Sequence, residues 1–435
     1  MQYIDNILFV LLLIAGSALF WYNARKIIRN IRIGKALDRT DNKAMRWRTM
    51  IRVALGQSKM VTRPVAGIMH IFVYVGFVII NIELIEIVID GIFGTHRSLS
   101  FLGGFYTFLI ASFEILGALV ILGCAVFLLR RNVVRVKRFL NKELDGWPRS
   151  DANLILVIEI TLMLAFLFMN AADFRVIQIT GSTEVSQAAF PVSAWLAKLY
   201  GDAGVHGLHL AEMSCWWYHI VGIFFFLNYL PYSKHLHIIL AFPNTYFSNL
   251  EAKGRFTNDA VVTREVKLML DPAAAVPPAS DQPTRFGAKD VTDLSWKQLL
   301  DAYSCTECGR CTSSCPANIT GKQLSPRKIM MDTRDRLEEV GKSIDKKGKL
   351  EDDGKNLLGD YITPEELWAC TSCNACVQEC PVNIDPLAII IDLRRYLVME
   401  QSAAPNELNM TFTNIENNGA PWQFSPADRL NWKNE

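Results

Sequence analysis

Charged residues are scarce in this sequence, and so are cysteines outside two short segments. Asp, Glu, Lys and Arg make up 20% of the 435 residues and hydrophobic residues 51%, which is apolar for a soluble protein. The N-terminus lacks a basic n-region, and arginines instead of a small-residue cleavage site follow its first apolar run, so we expect no cleavable signal peptide. Cys124 and Cys215 lie outside the two cysteine segments, and we expect them to be packing residues.

The two cysteine segments share the pattern C-x2-C-x2-C-x3-C-P. The first ends at Pro316 and the second at Pro381. In this pattern three cysteines wrap a loop around one cubane cluster, and the fourth ligates the neighbouring cluster. The sequence therefore predicts two [4Fe–4S] clusters, whose ligands are Cys305, Cys308, Cys311 and Cys380 for one, and Cys370, Cys373, Cys376 and Cys315 for the other.

Structural zinc and disulfides are the alternatives for these cysteines. Zinc sites usually take two separated pairs of ligands and rarely add a regular third and fourth cysteine before a proline. Clustered cysteines at metal spacing also indicate a reducing compartment, so we expect this part of the chain in the cytoplasm. Two adjacent clusters are typical of an electron-transfer chain.

Apolar stretches long enough to span a bilayer occur five times before residue 243. Basic residues crowd the segments after the first and third stretches, whereas the other two connecting segments, 90–104 and 173–209, carry only Arg97, Arg175 and Lys198. The positive-inside rule then places the N-terminus outside and the C-terminal half in the cytoplasm, and we expect the inner membrane of a prokaryote. The five stretches are residues 7–22, 65–89, 105–129, 154–172 and 210–242.

Histidines within the apolar stretches suggest a further cofactor. His219 and His237 are 18 residues apart, which is five turns, so they would share one face of a continuous helix. His70 matches His237 in depth, and this pair is predicted to hold a haem b; two hydrogen-bonded histidines are the alternative. A second haem at His219 would need a partner such as His96 or His209. Otherwise His219 is a candidate to hydrogen-bond a quinone.

Two carboxylates within the stretches are candidate quinone or proton residues. Glu83 lies toward the outer end of the second stretch, and Glu114 lies near the middle of the third. Pro231 is expected to kink the fifth stretch. Residues 190–200 are expected to form a short interfacial helix with aromatic anchors.

The predicted fold class is mainly α. The 54 residues between Cys315 and Cys370 exceed the spacer of a small bacterial ferredoxin, which favours an all-helical cluster domain. We expect four parts: a five-span transmembrane helix bundle (1–250), a linker (251–289), an α-helical ferredoxin-like domain with two [4Fe–4S] clusters (290–400), and a partner-docking tail (401–435).

The apolar half resembles the cytochrome b (gamma) subunit of respiratory nitrate reductase and its relatives in heterodisulfide reductase-type complexes. The resemblance rests on five spans, on the spacing of His219 and His237, and on Lys-His-Leu-His at 234–237. That family has two histidines ten residues apart on its second span. Here His70 matches the first and Ile80 stands at the second. The resemblance therefore implies the inner haem and leaves the outer one open.

The C-terminal half resembles the C subunit of heterodisulfide reductase over residues 290–400. Its tail, from Asn414 to Trp432, resembles the segment that joins such domains to a cysteine-rich catalytic domain in fused relatives. The fused whole resembles the C subunit of the quinone-interacting membrane-bound oxidoreductase. This implies a larger complex in which a cysteine-rich, heterodisulfide reductase B-like protein is the cytoplasmic partner.

These observations predict a membrane subunit of a quinone-linked oxidoreductase complex. It would pass electrons between the quinone pool and a cytoplasmic redox protein through haem b and two [4Fe–4S] clusters. A haem-free anchor that carries an iron–sulfur relay is the main alternative. The absence of a DNA-binding motif or kinase-like domain disfavours a redox sensor, and the absence of paired acidic residues in broken helices disfavours an ion transporter. Topology explains the basic loops better than nucleic-acid binding does.

Overall fold

The computed structural model describes residues 2–182, 185–276 and 285–434. Within these ranges the chain is helical, and its only β-type pairings are two isolated bridges. The predicted fold class is confirmed, with five helices long and apolar enough to cross a membrane and a helical domain after them. The helices of the first half are α1 (Gln2–Arg32), α2 (Lys43–Met50), α3 (Pro64–Phe93), α4 (Gly104–Asn132), α5 (Trp147–Thr180), α6 (Ser193–Leu196), α7 (Val205–Tyr229), α8 (His237–Tyr246) and α9 (Ala260–Leu270).

Helix α5 lies at the centre of the bundle. It packs against α4 on one side and α7 on the other, while α1 contacts α3 and α7. Residues such as Phe166 and Ala171 on α5 are fully buried, whereas α1 exposes a continuous apolar surface suited to lipid. Proline at the first turn of α3 and of α5, where no amide hydrogen is needed, marks their common end of the bundle. We call this the proximal end and the opposite one the distal end.

The fifth apolar stretch is not one helix, so the prediction of a shared face for His219 and His237 is wrong. Helix α7 ends at Tyr229, two 3₁₀ turns follow at residues 230–232 and 234–236, and α8 begins at His237. Pro231 cannot donate a helical hydrogen bond. The carboxylate of Asp151 stabilises the break, because it accepts hydrogen bonds from the hydroxyl of Ser233 at 2.7 Å and the backbone N–H of Lys234 at 3.2 Å.

The C-terminal domain packs directly on the proximal end of the bundle. Leu230 and Leu236, from the broken stretch, belong to the same buried apolar core as Leu299 and Ile329. The helices of this half are α10 (Trp296–Ser304), α11 (Arg310–Ser313), α12 (Pro316–Ile319), α13 (Pro326–Lys347), α14 (Pro364–Trp368), α15 (Ala375–Glu379), α16 (Pro386–Met399) and α17 (Asn406–Asn418).

The segment expected to be a linker, 251–289, is partly structured. It contains α9, and the backbone N–H of Ala288 donates to Asp392 O at 2.9 Å on α16. Residues 277–284 of the proline-rich stretch lie outside the described residues. In the tail, α17 is followed by a 3₁₀ segment, Pro426–Lys433.

Candidate functional site

Four cysteines from both segments surround one small cavity of about 30 Å³. Cys305 follows the end of α10, and Cys308 and Cys311 flank Gly309, whose φ of +71° lets the chain turn sharply into α11. Cys380 arrives from the end of α15. The fourth cysteine of the second segment thus lies with the first three of the first segment, as the ligand prediction requires. We call this group the first cysteine set.

The remaining cysteines form a second set: Cys315, Cys370, Cys373 and Cys376. Burial raises the pKa of the Cys370 thiol, and the neighbouring Cys315 and Cys373 raise it further. Burial also raises the pKa of Cys376, and the neighbouring Cys315 makes a smaller contribution in the same direction. Cys373 is exposed, whereas Cys315 and Cys376 are buried, so the second set lies at the surface of the domain.

Both sets suit iron–sulfur clusters rather than unliganded thiols. Eight soft sulfur donors converge as two groups of four, and backbone N–H groups point at sulfur, from Ser372 to Cys370 at 3.4 Å and from Ile384 to Cys380 at 3.3 Å. Such hydrogen bonds stabilise negative charge on cluster sulfur and tune the potential. Burial raises the pKa of Cys305 to about 12, so the thiolate is unfavourable in the absence of a metal. Bonds from the thiolate to iron would offset this free energy of deprotonation.

The first set faces the membrane bundle. The guanidinium of Arg310, between two of its cysteines, donates to Lys59 O at 2.9 Å and Met60 O at 3.0 Å, just before α3. Lys59 in turn donates to Asn383 Oδ1 at 2.9 Å, beside the end of the second segment. Hydrogen bonds therefore link the first cysteine set to the segment that leads into α3.

Three imidazoles meet at the proximal end, where the sequence predicted two. His235 and His237 pack with ring centroids 5.5 Å apart and perpendicular planes. The third imidazole, His70 on α3, lies near both of them. On a continuous helix His235 would lie on a different face from His237, and the break at Pro231 removes that constraint.

These imidazoles have the hydrogen bonding of potential metal ligands. Nδ1 of His237 lies 3.1 Å from Lys234 O, so an Nδ1–H donor there leaves Nε2 free for a metal. Nδ1 of His70 and Nε2 of His235 are buried without a hydrogen-bond partner among the described residues. The free Nε2 of His237 and the unpaired nitrogen of His70 fit a haem iron held between two helices, whereas Nε2 of His235 lies 3.7 Å from Glu159 Oε1.

His219 is buried apart from this group. Its Nδ1 lies 2.9 Å from Leu162 O, and its ring packs near Phe166. The two histidines considered as its haem partners lie elsewhere: His96 and His209 both contact Glu212 at the distal end. The described residues thus provide no second imidazole opposite His219.

A cavity of about 630 Å³ opens at the distal end between α1, α3, α5 and α7. Glu83 lines it, 4% exposed, and its Oε2 has no hydrogen-bond partner among the described residues. Buried Arg97 lies 3.9 Å from Glu83 Oε1 and donates to Asp173 at 2.9 Å and Asn170 at 2.8 Å. Trp216 is part of the apolar wall. The sequence pattern did not predict this network, although Arg97 stood out as one of three basic residues in the two sparsely charged segments.

Glu114 has structural partners instead of a place in the cavity. Its Oε2 accepts hydrogen bonds from the backbone N–H groups of Val192 at 2.9 Å and Ser193 at 3.0 Å. The expected interfacial helix at 190–200 is thereby held over the bundle, with Trp195 and Leu199 exposed. Glu114 anchors this segment.

Comparison with known proteins identifies the cluster domain. The family model of the 4Fe-4S dicluster domain matches residues 304–384. The chain is 29% identical to the probable iron-sulfur-binding oxidoreductase FadF of Bacillus subtilis, over 99% of this chain and 61% of the relative. It is 28% identical to the EtfAB:quinone oxidoreductase of Syntrophomonas wolfei, over 99% of this chain and 59% of the relative.

Another match covers a smaller part of the chain. The chain is 36% identical to the C subunit of the ferredoxin/F420H2-dependent CoB-CoM heterodisulfide reductase of Methanosarcina acetivorans, over 27% of this chain and 60% of the relative. The chain spans about six tenths of the length of the first two relatives. No solved structure matches it. The chain thus carries a 4Fe–4S dicluster domain, and its relatives are iron–sulfur oxidoreductase subunits.

Proposed function

We propose that this chain is a membrane electron-transfer subunit that connects the quinone pool to a cytoplasmic redox protein. Electrons would pass through a haem b at the proximal end and two [4Fe–4S] clusters. One observation carries the proposal: the imidazole group and the first cysteine set adjoin the same end of the bundle, while the second set reaches the surface at Cys373.

The predicted haem ligands are His70 and His237. Bound there, a haem b would supply one-electron transfer between the bilayer and the first cysteine set. His237 would be oriented by its contact with Lys234 O. The resemblance of the apolar half to nitrate reductase gamma subunits supports this assignment.

The distal cavity is the best candidate for the quinone site. It combines an apolar wall with a few convergent polar groups, as small-molecule sites do. Glu83 would accept a proton as quinol is oxidised, since its Oε2 is unpaired and its Oε1 lies 3.9 Å from the guanidinium of Arg97. His219 remains a second candidate for hydrogen bonding to quinone. The name of the Syntrophomonas relative, EtfAB:quinone oxidoreductase, supports quinone as substrate.

The orientation and partner follow from the same arrangement. Basic connecting segments lie at the proximal end, so the cluster domain would face the cytoplasm of a prokaryote. A redox protein, for which a cysteine-rich heterodisulfide reductase B-like subunit is the proposed candidate, would dock near Cys373. Residues 401–435 would contribute to this docking, because α17 exposes Met410 and Ile415.

The first test is a reduced-minus-oxidised visible spectrum of the anaerobically purified protein, with haem quantified per chain. We expect one haem, lost in His70→Ala and kept in His219→Ala. His206→Ala, an exposed histidine on α7, is the matched control and should keep it. Absence of haem in the unmodified protein would contradict the cytochrome assignment and leave an anchored iron–sulfur relay.

A further inference from the structure

Four side chains from three elements meet at the mouth of the distal cavity. His96 lies in the connection after α3, Asp173 lies on α5, and His209 and Glu212 lie on the first turns of α7. His96 and His209 are 58% and 57% exposed, and Glu212 and Asp173 are 17% and 8% exposed. We call this group the rim cluster. The proposed redox chain uses none of its members.

The spacing within the rim cluster matches a metal coordination shell. His96 Nε2 lies 3.0 Å from Glu212 Oε1, and His209 Nδ1 lies 3.3 Å from Glu212 Oε2. Ligand atoms of His96, Asp173 and Glu212 all lie within 4.8 Å of one another. Nitrogen and oxygen bind zinc at about 2.0–2.2 Å, so the edge of a zinc tetrahedron is about 3.3–3.6 Å. Small side-chain rotations would bring the atoms of these three residues to that geometry, and His209, which contacts Glu212 alone among them, would need a larger rotation.

Asp173 can serve a cation without losing Arg97. Its hydrogen bonds to that guanidinium, at 2.9 Å and 3.3 Å, use Oδ2, which leaves Oδ1 for another partner. Two neutral imidazoles and two carboxylates carry a combined charge of −2. This set suits a borderline-soft divalent ion better than a hard ion such as Mg²⁺, which prefers oxygen.

Charge in the cavity behind the rim cluster favours a cation independently. Carboxylates outnumber basic groups on its walls, where Arg97 is the single lysine or arginine among the lining residues that the structure describes. Glu83 is 4% exposed, and its Oε2 has no partner in the described part of the chain. Low-dielectric walls concentrate such a field. A divalent cation at the mouth would reduce this unbalanced negative charge.

We propose that the rim cluster binds one zinc-type divalent metal ion, with His96, His209, Glu212 and Asp173 as ligands. The ion would join the connection after α3 to α5 and α7 and so narrow the mouth of the cavity. The proposal concerns binding alone and stands whether or not the chain oxidises quinol.

The test is equilibrium dialysis of the anaerobic, cluster-loaded protein against Zn²⁺, with bound zinc and iron measured by mass spectrometry. We expect one tight Zn²⁺ per chain, and binding at least about tenfold weaker in His96→Ala and in Glu212→Gln. His206→Ala, which removes an exposed imidazole one turn from His209, should bind as the unmodified chain does. Unchanged iron content verifies that the variants fold.

Two results would overturn the proposal. One is equal zinc affinity in the unmodified chain, His96→Ala and Glu212→Gln, which would place any bound zinc elsewhere. The other is the absence of a tight site in the unmodified chain, which would make the rim cluster a set of ordinary ion pairs.

Discussion

A buried ion network joins the broken membrane segment to the first cysteine set, and its removal should loosen both. Glu307, between Cys305 and Cys308, pairs through one oxygen with Lys234 and through the other with Arg334 at 2.8 Å. The side chain of Glu307 is 3% exposed and that of Lys234 is 8% exposed. Although burial raises it, the two cations hold the pKa of Glu307 below its ordinary value. The carboxylate is therefore charged at neutral pH.

The loss of stability depends on which partner of the network is removed. Glu307→Gln leaves two cations without their shared carboxylate, and breaking a buried pair in this way costs about 3–5 kcal/mol. Lys234→Met leaves Glu307 paired with Arg334, so the cost should be about 1.5–3 kcal/mol, as for a lost hydrogen bond to a charged group. Arg255→Ala, whose pair with Glu251 is largely exposed, should cost about 0–1 kcal/mol.

Hydrogen–deuterium exchange of the backbone amides in residues 230–237 measures this cost as the free energy of local opening. Since 1.4 kcal/mol corresponds to a factor of ten, exchange in Glu307→Gln should accelerate about 100-fold or more, and in Lys234→Met about 10- to 100-fold. Arg255→Ala should exchange as the unmodified protein does. Equal rates in Glu307→Gln and Arg255→Ala would refute the reasoning.

Two further predictions concern cluster ligation and domain docking. Cys315→Ser and Cys373→Ser should leave the same residual electron paramagnetic resonance spectrum, because both remove the second cluster. If the Cys315→Ser spectrum matched that of Cys308→Ser instead, each segment would bind its own cluster. Gly34→Ala should destabilise the docked domain by about 1–3 kcal/mol, because the new methyl would lie 2.6 Å from Trp296 N. Gly207→Ala, which meets nothing within 4 Å, is its control, and equal thermal midpoints would contradict this account.

The sequence predicted what local patterns determine. Apolar length identified all five spanning helices, because lipid requires that a span satisfy its own backbone hydrogen bonds. Cysteine spacing predicted the cluster domain that the family model matches. The exchange of Cys315 and Cys380 between the two clusters stays a prediction, although Cys380 lies with the first three cysteines of the first segment.

The sequence was less informative where distant residues decide the structure. A single proline suggested a kink, but the complete break in the fifth stretch depends on Asp151, 80 residues before Pro231. Glu114 was a candidate proton residue because it lies in the middle of a span. The sequence could not show that it accepts hydrogen bonds from backbone N–H groups about 80 residues further along the chain. Likewise, Arg97 lies in the connection after α3, and its ion pair with Asp173 on α5 cannot be inferred from neighbouring residues.

The contacts at the proximal end also constrain how the protein is made. Lys234 pairs with Glu307, and Asn244 donates to Val382 O at 2.9 Å and accepts from Lys297 at 2.9 Å. These partners are synthesised well after the bundle, so the segment that carries His235 and His237 can form these contacts only after the following domain has been made. Biogenesis is thereby ordered: insertion into the lipid comes first, and the histidine turn gains its final support only when the cluster domain folds against it.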